Sequence, residues 1–181
     1  MSVSLAYPIG RFARPEYIED ATLYRWIDQL IAFPAALEAA TATLDDEALQ
    51  RTYRPGGWTV SQVVHHCADS HMNAFLRFKF ALTEDRPTIM PYDEAAWVLL
   101  PDSVHLPVAA PLQFLAALHL RWTTLLRHLK AADFERSYYH PADEAVVSLR
   151  AATGLYAWHG AHHLAHVRQA LGLENTPWEL Q

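Results

Sequence analysis

A chain of 181 residues, 51% hydrophobic and 19% charged, has the size and apolar content of one compact domain spanning residues 1–181. Its formal charge of -6, with lysines and arginines scattered singly, leaves no basic stripe to collect phosphates, so no nucleic acid is expected as a partner. No run approaches the roughly 18 apolar residues of a membrane span, MSVSLAYPIG lacks the pattern of a signal peptide, and the lone Cys67 cannot form an intrachain disulfide; the expectation is a cytoplasmic protein with no membrane partner.

From Ala21 to about Thr43, Leu23, Trp26, Ile27, Leu30, Ile31 and Leu37 recur at three- and four-residue intervals and predict an amphipathic helix, with a kink or short break at Pro34. Tyr53-Arg54-Pro55-Gly56-Gly57 reads as a turn, and Thr59 with Gln62 as a capping box that starts a second helix running to about Thr83. Residues 87–111 carry enough proline to predict a long crossover with one short helix at 93–99. A third long helix is expected over 112–131, with Phe114, Leu115, Leu118, Trp122, Leu125, Leu126 and Leu129 buried. Tyr138-Tyr139-His140-Pro141 reads as a loop, and the β-like run 145–149 is too short to change the class. Ser148 is the expected N-cap of a fourth helix that Gly172 stops after Leu171. Four long helices joined through a long crossover define an all-α four-helix bundle that is not simply up-down-up-down.

Histidine is the compositional outlier, with 11 copies, most of them in two clusters on the second and fourth helices. Imidazole is both the commonest metal ligand and the side chain that titrates near neutrality. Residues four apart on a helix share a face, so His159 and His163 can reach one ion, and so can His162 and His166 about 100 degrees away. Tyr156, His159, His163, His166 and Ala170 form one stripe, which favours the first pair. The second helix offers His65 or His66, the latter on a polar row with Gln62, Asn73 and Arg77. Three neutral imidazoles around an ion leave a coordination position open, as in catalytic rather than structural zinc sites. Cys67 points away from His66 and reads as a small buried hydrophobe.

The motifs Gly57-Trp58-Thr59, Val63-Val64-His65-His66-Cys67-Ala68-Asp69-Ser70-His71-Met72-Asn73, Pro91-Tyr92-Asp93-Glu94-Ala95-Ala96-Trp97, Arg121-Trp122-Thr123, Tyr139-His140-Pro141 and Gly154-Leu155-Tyr156-Ala157-Trp158-His159 occur in order. Together they resemble the YfiT-like branch of the DinB-like superfamily, from Tyr7-Pro8-Ile9-Gly10 almost to the end. The resemblance implies a DinB/YfiT-like four-helix bundle, a homodimer, and one divalent transition metal, zinc or nickel, on His66, His159 and His163. It also implies a metal-dependent hydrolase acting on a small-molecule substrate, while other members of the superfamily use a low-molecular-weight thiol. The sequence departs from the pattern at Gly160-Ala161, which is expected to alter the pocket wall without touching the ligands.

A hydrolase of this kind activates water on the metal. Asp69, one turn from His66, is the candidate to orient a ligand imidazole or to accept the water's proton; Asp93 and Glu94 are outside candidates for the base. Arg77 and Tyr92 are expected to bind a substrate carboxylate, with an ion pair as the alternative for Arg77, and Trp158 to line the pocket, with core packing as its alternative. Two rival functions share the site. One is a thiol S-transferase whose metal lowers the pKa of a bound thiol, and the other a non-catalytic metal-binding stress protein.

Overall fold

The computed structural model describes residues 4–174. In chain order the helices are α1 (Asp20–Thr41), α2 (Asp46–Leu49), α3 (Val60–Thr83), α4 (Glu94–Trp97), α5 (Pro101–His105), α6 (Ala109–His128) and, after a 3-10 turn (Ala131–Glu135) and strands β1 (Ser137–His140) and β2 (Ala145–Ser148), α7 (Leu149–Ala170). The long helices α1, α3, α6 and α7 make the bundle. Both α1 and α3 pack against α6 and α7, so the long helices consecutive in sequence, α1 with α3 and α6 with α7, stand across diagonals. The crossover, α4 and α5 included, is what joins α3 to its neighbour α6.

The helix ends follow local chemistry. Thr59 Oγ1 accepts from the Gln62 N–H at 3.1 Å while the Gln62 amide oxygen accepts from the Thr59 N–H at 3.0 Å, a reciprocal cap worth about 1 kcal/mol. Ser148 caps α7 through the Ala151 N–H. At the far end Gly172 takes φ +71°, and the Gly172 and Leu173 N–H groups close on the Gln169 and Arg168 carbonyls, which stops the helix.

Several local expectations are corrected. Pro34 does not break α1, which is continuous over 22 residues. α6 starts at Ala109, three residues early, because Pro111 falls in the first turn where no N–H is needed. Phe114 is exposed, whereas His119 and Thr123 lie on the buried face. One-turn helices form at α2, capped by Asp45, and at α5, started by Pro101. Residues 137–140 form a strand: β1 pairs antiparallel with β2, Ser137 opposite Ser148 and His140 opposite Ala145. Tyr139 also exchanges backbone hydrogen bonds with Pro87 and Ile89 of the crossover. That distant partner holds a hairpin too short to stand alone.

Two apolar clusters fill the bundle, one around Ile27, Phe78, Trp122 and Tyr156, the other around Phe33, Val64, Leu115 and Leu164. A polar seam lies between them. On α3 the clusters are separated between Cys67 and Ala74, where His71 stands; on α7 the gap from Ala157 to Leu164 holds His159 and His163. Two glycines let α1 approach α7: a Cβ on Gly154 would lie 2.7 Å from the Trp26 ring, and one on Gly160 2.9 Å from the Phe33 ring.

Candidate metal centre

The capping box sets the phase of α3, so that His66 turns toward α7 while its neighbours do other work. His65 Nε2 donates to the Leu106 carbonyl in the crossover at 3.3 Å. Cys67 is fully buried in the second apolar cluster, and burial pushes its thiol pKa up, so it stays protonated. On α7, His159 and His163 present rings to His66 with centroids 5.3 and 4.8 Å away. One nitrogen from each of His66, His159 and His163 can be chosen so that all three lie within 4.8 Å of one another.

The donor set suits an ion, and one edge of the trio already has the length of a metal site. His66 Nε2 and His159 Nε2 are 3.2 Å apart, about the edge of a tetrahedron with metal–nitrogen bonds of roughly 2.0–2.1 Å. Burial, reinforced by neighbouring histidines, lowers all three pKa values: His66 to about 4, His159 and His163 well below the ordinary value. All three are therefore neutral at pH 7, the form that donates a lone pair. Trp58 covers His66 with a centroid separation of 4.6 Å and stacks near His163 at 6.4 Å.

The second histidine pair is placed differently. His162 stacks on Trp158 at 4.6 Å and meets Tyr7 at 5.6 Å; His166 stacks on Tyr53 at 3.8 Å. Both border the cavity, and neither belongs to the convergent trio.

The trio opens into a cavity of about 650 Å³ that Arg77, Tyr92, Glu94, His140, Asp143 and Trp158 also line. The β1–β2 turn brings His140 and Asp143 to it, contributors the sequence reading missed because the hairpin was missed. Arg77 is on the wall: its guanidinium donates to Tyr156 Oη at 3.0 Å, and among the described residues it has no carboxylate partner. Tyr92 stands beside Ser70, and burial raises its pKa, so the phenol keeps its proton. Trp158 Nε1 donates to the Gly10 carbonyl at 3.2 Å, which fixes the indole as a wall of the cavity.

Asp69 is not among the residues lining the cavity. Its pKa rises to about 6, first through burial and then through Asp102. The ring of His159 has His71 as its hydrogen-bond partner, His71 Nε2 lying 3.0 Å from His159 Nδ1. Asp93 caps α4 through the Ala96 N–H at 2.9 Å. Gly160 packs on Phe33, and Ala161 lines a separate cavity of about 600 Å³ beside Phe12 and Trp26 that contains no histidine. Neither Gly160 nor Ala161 is among the residues lining the cavity beside His66, His159 and His163.

A four-helix bundle of diagonal connectivity with a three-histidine cluster between two of its helices defines a class, and the chain belongs to it: residues 29–167 match the DinB superfamily. The chain is 53% identical over 168 residues to a protein of Bacillus pumilus (strain SAFR-032) named "Putative metal-dependent hydrolase", covering 93% of this chain and 95% of that protein. It is 48% identical over 168 residues to "Putative metal-dependent hydrolase YfiT" of Bacillus subtilis (strain 168), covering 93% and 94%. A solved structure of YfiT from Bacillus subtilis, described as a probable metal-dependent hydrolase with an unusual four-helix bundle topology, superimposes with a TM-score of 0.89 at 46% identity, covering 94% of this chain and 99% of that one.

Proposed function

We propose that the protein is a metal-dependent hydrolase of small molecules whose zinc or nickel ion is held by His66, His159 and His163. The observation that carries this reading is the convergence of three neutral imidazoles on one side of an open cavity whose wall includes an arginine without a carboxylate partner among the described residues. His66, His159 and His163 would hold the ion, which would supply Lewis acidity toward a scissile carbonyl and a bound water. The chain's own groups do the rest. Arg77, held by Tyr156, offers its charge to an anionic group of the substrate. Tyr92, kept as a neutral phenol beside Ser70, donates a hydrogen bond. Trp58 and Trp158 supply flat apolar walls that exclude water. Asp69, outside the cavity lining, takes no part in this mechanism.

Among the described residues no helix is long and apolar enough to cross a membrane. The reading includes a homodimer in the cytoplasm. Leu76, Phe80 and Met90, exposed together along α3 and the crossover, support the dimer.

The test offers zinc- or nickel-loaded protein a panel of carboxylate-bearing esters and amides, with and without a small thiol and an electrophile. Hydrolysis independent of thiol, lost on chelation and weakened at least about tenfold in kcat/KM by Arg77→Met, is the expected outcome. Turnover that requires the thiol would replace hydrolysis by thiol transfer at the same site. Exchange-inert metal with no turnover of any kind would favour the non-catalytic stress-protein reading.

A further inference from the structure

Behind the ligands, three histidines on three helices form an unbroken hydrogen-bonded line that begins on the fourth. Pro34 has no N–H, so the Leu30 carbonyl, one turn earlier in α1, loses its helical partner. His119 of α6 fills that gap, its Nδ1 2.6 Å from the Leu30 oxygen. Its Nε2 lies 2.7 Å from His71 Nδ1 on α3, and His71 Nε2 lies 3.0 Å from His159 Nδ1 on α7. His119 is 2% exposed and His71 0%, and Phe33 stacks on His71 with a centroid separation of 5.1 Å.

The carbonyl sets the direction of every bond. It can only accept, so His119 Nδ1 carries the proton. A neutral imidazole has one N–H and one lone pair. His119 Nε2 therefore accepts from His71 Nδ1–H, and His71 Nε2 accepts from His159 Nδ1–H. The lone pair left over is that of His159 Nε2, the atom 3.2 Å from His66 Nε2. An extra proton on any ring would set two N–H groups face to face or cap the nitrogen that must bind the ion.

We infer that His71 and His119 are positioning residues of the metal centre: with the Leu30 carbonyl they lock His159 in the Nδ1–H tautomer and commit its Nε2 lone pair to the ion. The role of the ion rests on the proposed metal site; the tautomers rest on hydrogen-bond geometry alone. A ligating histidine usually donates its second N–H to a carboxylate, carbonyl or water. Here the carbonyl is reached through two further rings, and each of the four bundle helices supplies one member. Displacing any of them breaks the line.

The test reads the tautomers directly. In metal-free protein labelled with 15N at histidine, two-bond ring correlations should show His119, His71 and His159 protonated on Nδ1, with assignments from single-site variants. Nε2–H on any of the three overturns the inference. Zinc affinity is then compared in two variants with native circular dichroism. His71→Leu removes the acceptor and should weaken binding about 10–100-fold, the range for losing the partner of a ligating imidazole. His71→Gln, whose amide oxygen can take the place of Nε2, should recover most of it. Unchanged affinity in His71→Leu, or a glutamine no better than leucine, also overturns the inference. The Nδ1–H pattern in a wild-type protein that binds no zinc would uphold the line and sink the metal reading instead.

Discussion

His159 with His163 and His162 with His166 share one helix and one spacing, and the two pairs have opposite fates. The first pair faces His66 across the α3–α7 contact, and His71 stands behind its leading member. The second pair stacks on aromatic faces, His162 between Tyr7 and Trp158 and His166 against Tyr53, with His166 Nδ1 also 3.4 Å from His163 Nδ1. Their difference lies in what approaches from outside the helix. Spacing of four residues gives two rings a common reach, but a third donor and a hydrogen-bond partner decide whether that reach becomes a metal site.

The largest expected effect breaks the comparison if it fails. Alanine at His66, His159 or His163 should abolish stoichiometric zinc or nickel in purified protein, lowering affinity at least about 100-fold, while His162→Ala should retain a full equivalent. Metal analysis after dialysis decides, and equal loss in His162→Ala would merge the two pairs into one site.

A smaller effect sharpens the contrast. His162→Phe preserves the stack with Trp158 and removes a buried ring nitrogen, Nδ1, that has no partner among the described residues. Metal content should be unchanged and the metal-free protein more stable by up to about 1 kcal/mol in chemical denaturation. A loss of metal would show that the second pair supports the first.

The smallest effect concerns Asp69, a carboxylate outside the cavity lining. The pKa of Asp69 is raised to about 6, so the folded chain holds this proton more tightly than the unfolded one. Stability from this group therefore falls as pH rises from about 4 to about 6, and the penalty is complete above that window. Asp69→Asn should stabilise the protein at pH 7 by about 1 kcal/mol, a figure discounted for the screening of a half-exposed carboxyl. Denaturation at pH 7 and again near pH 4 should show the advantage shrinking toward zero. A variant destabilised at pH 7, or one that loses metal, would return Asp69 to the metal centre.

Much of this architecture was legible in one dimension because the signals are local. Apolar periodicity placed the four long helices, Thr59-Gln62 and Ser148 placed two helix starts, and Gly172 placed a stop. The family motifs narrowed the clustered histidines to His66, His159 and His163. What stayed hidden depends on partners distant in sequence. The β1–β2 hairpin is two four-residue strands braced by Pro87 and Ile89, and with it went His140 and Asp143. His119, a single histidine in an ordinary amphipathic helix, gave no sign of its role. Pro34 did carry a signal, an orphaned carbonyl at Leu30, but predicting a kink overlooked the possibility that another helix would satisfy it.

Periodicity along the chain was enough for the class of fold and the helix phases, and spacing for two candidate histidine pairs, between which the family motifs chose. Only the tertiary structure decided that His66 meets His159 at 3.2 Å, that Asp69 stays outside the cavity lining, and that Leu30, His119, His71 and His159 join in a line. The reason is physical: a tautomer, like a coordination site, is fixed by groups converging from different helices, and that convergence exists only once the bundle has closed.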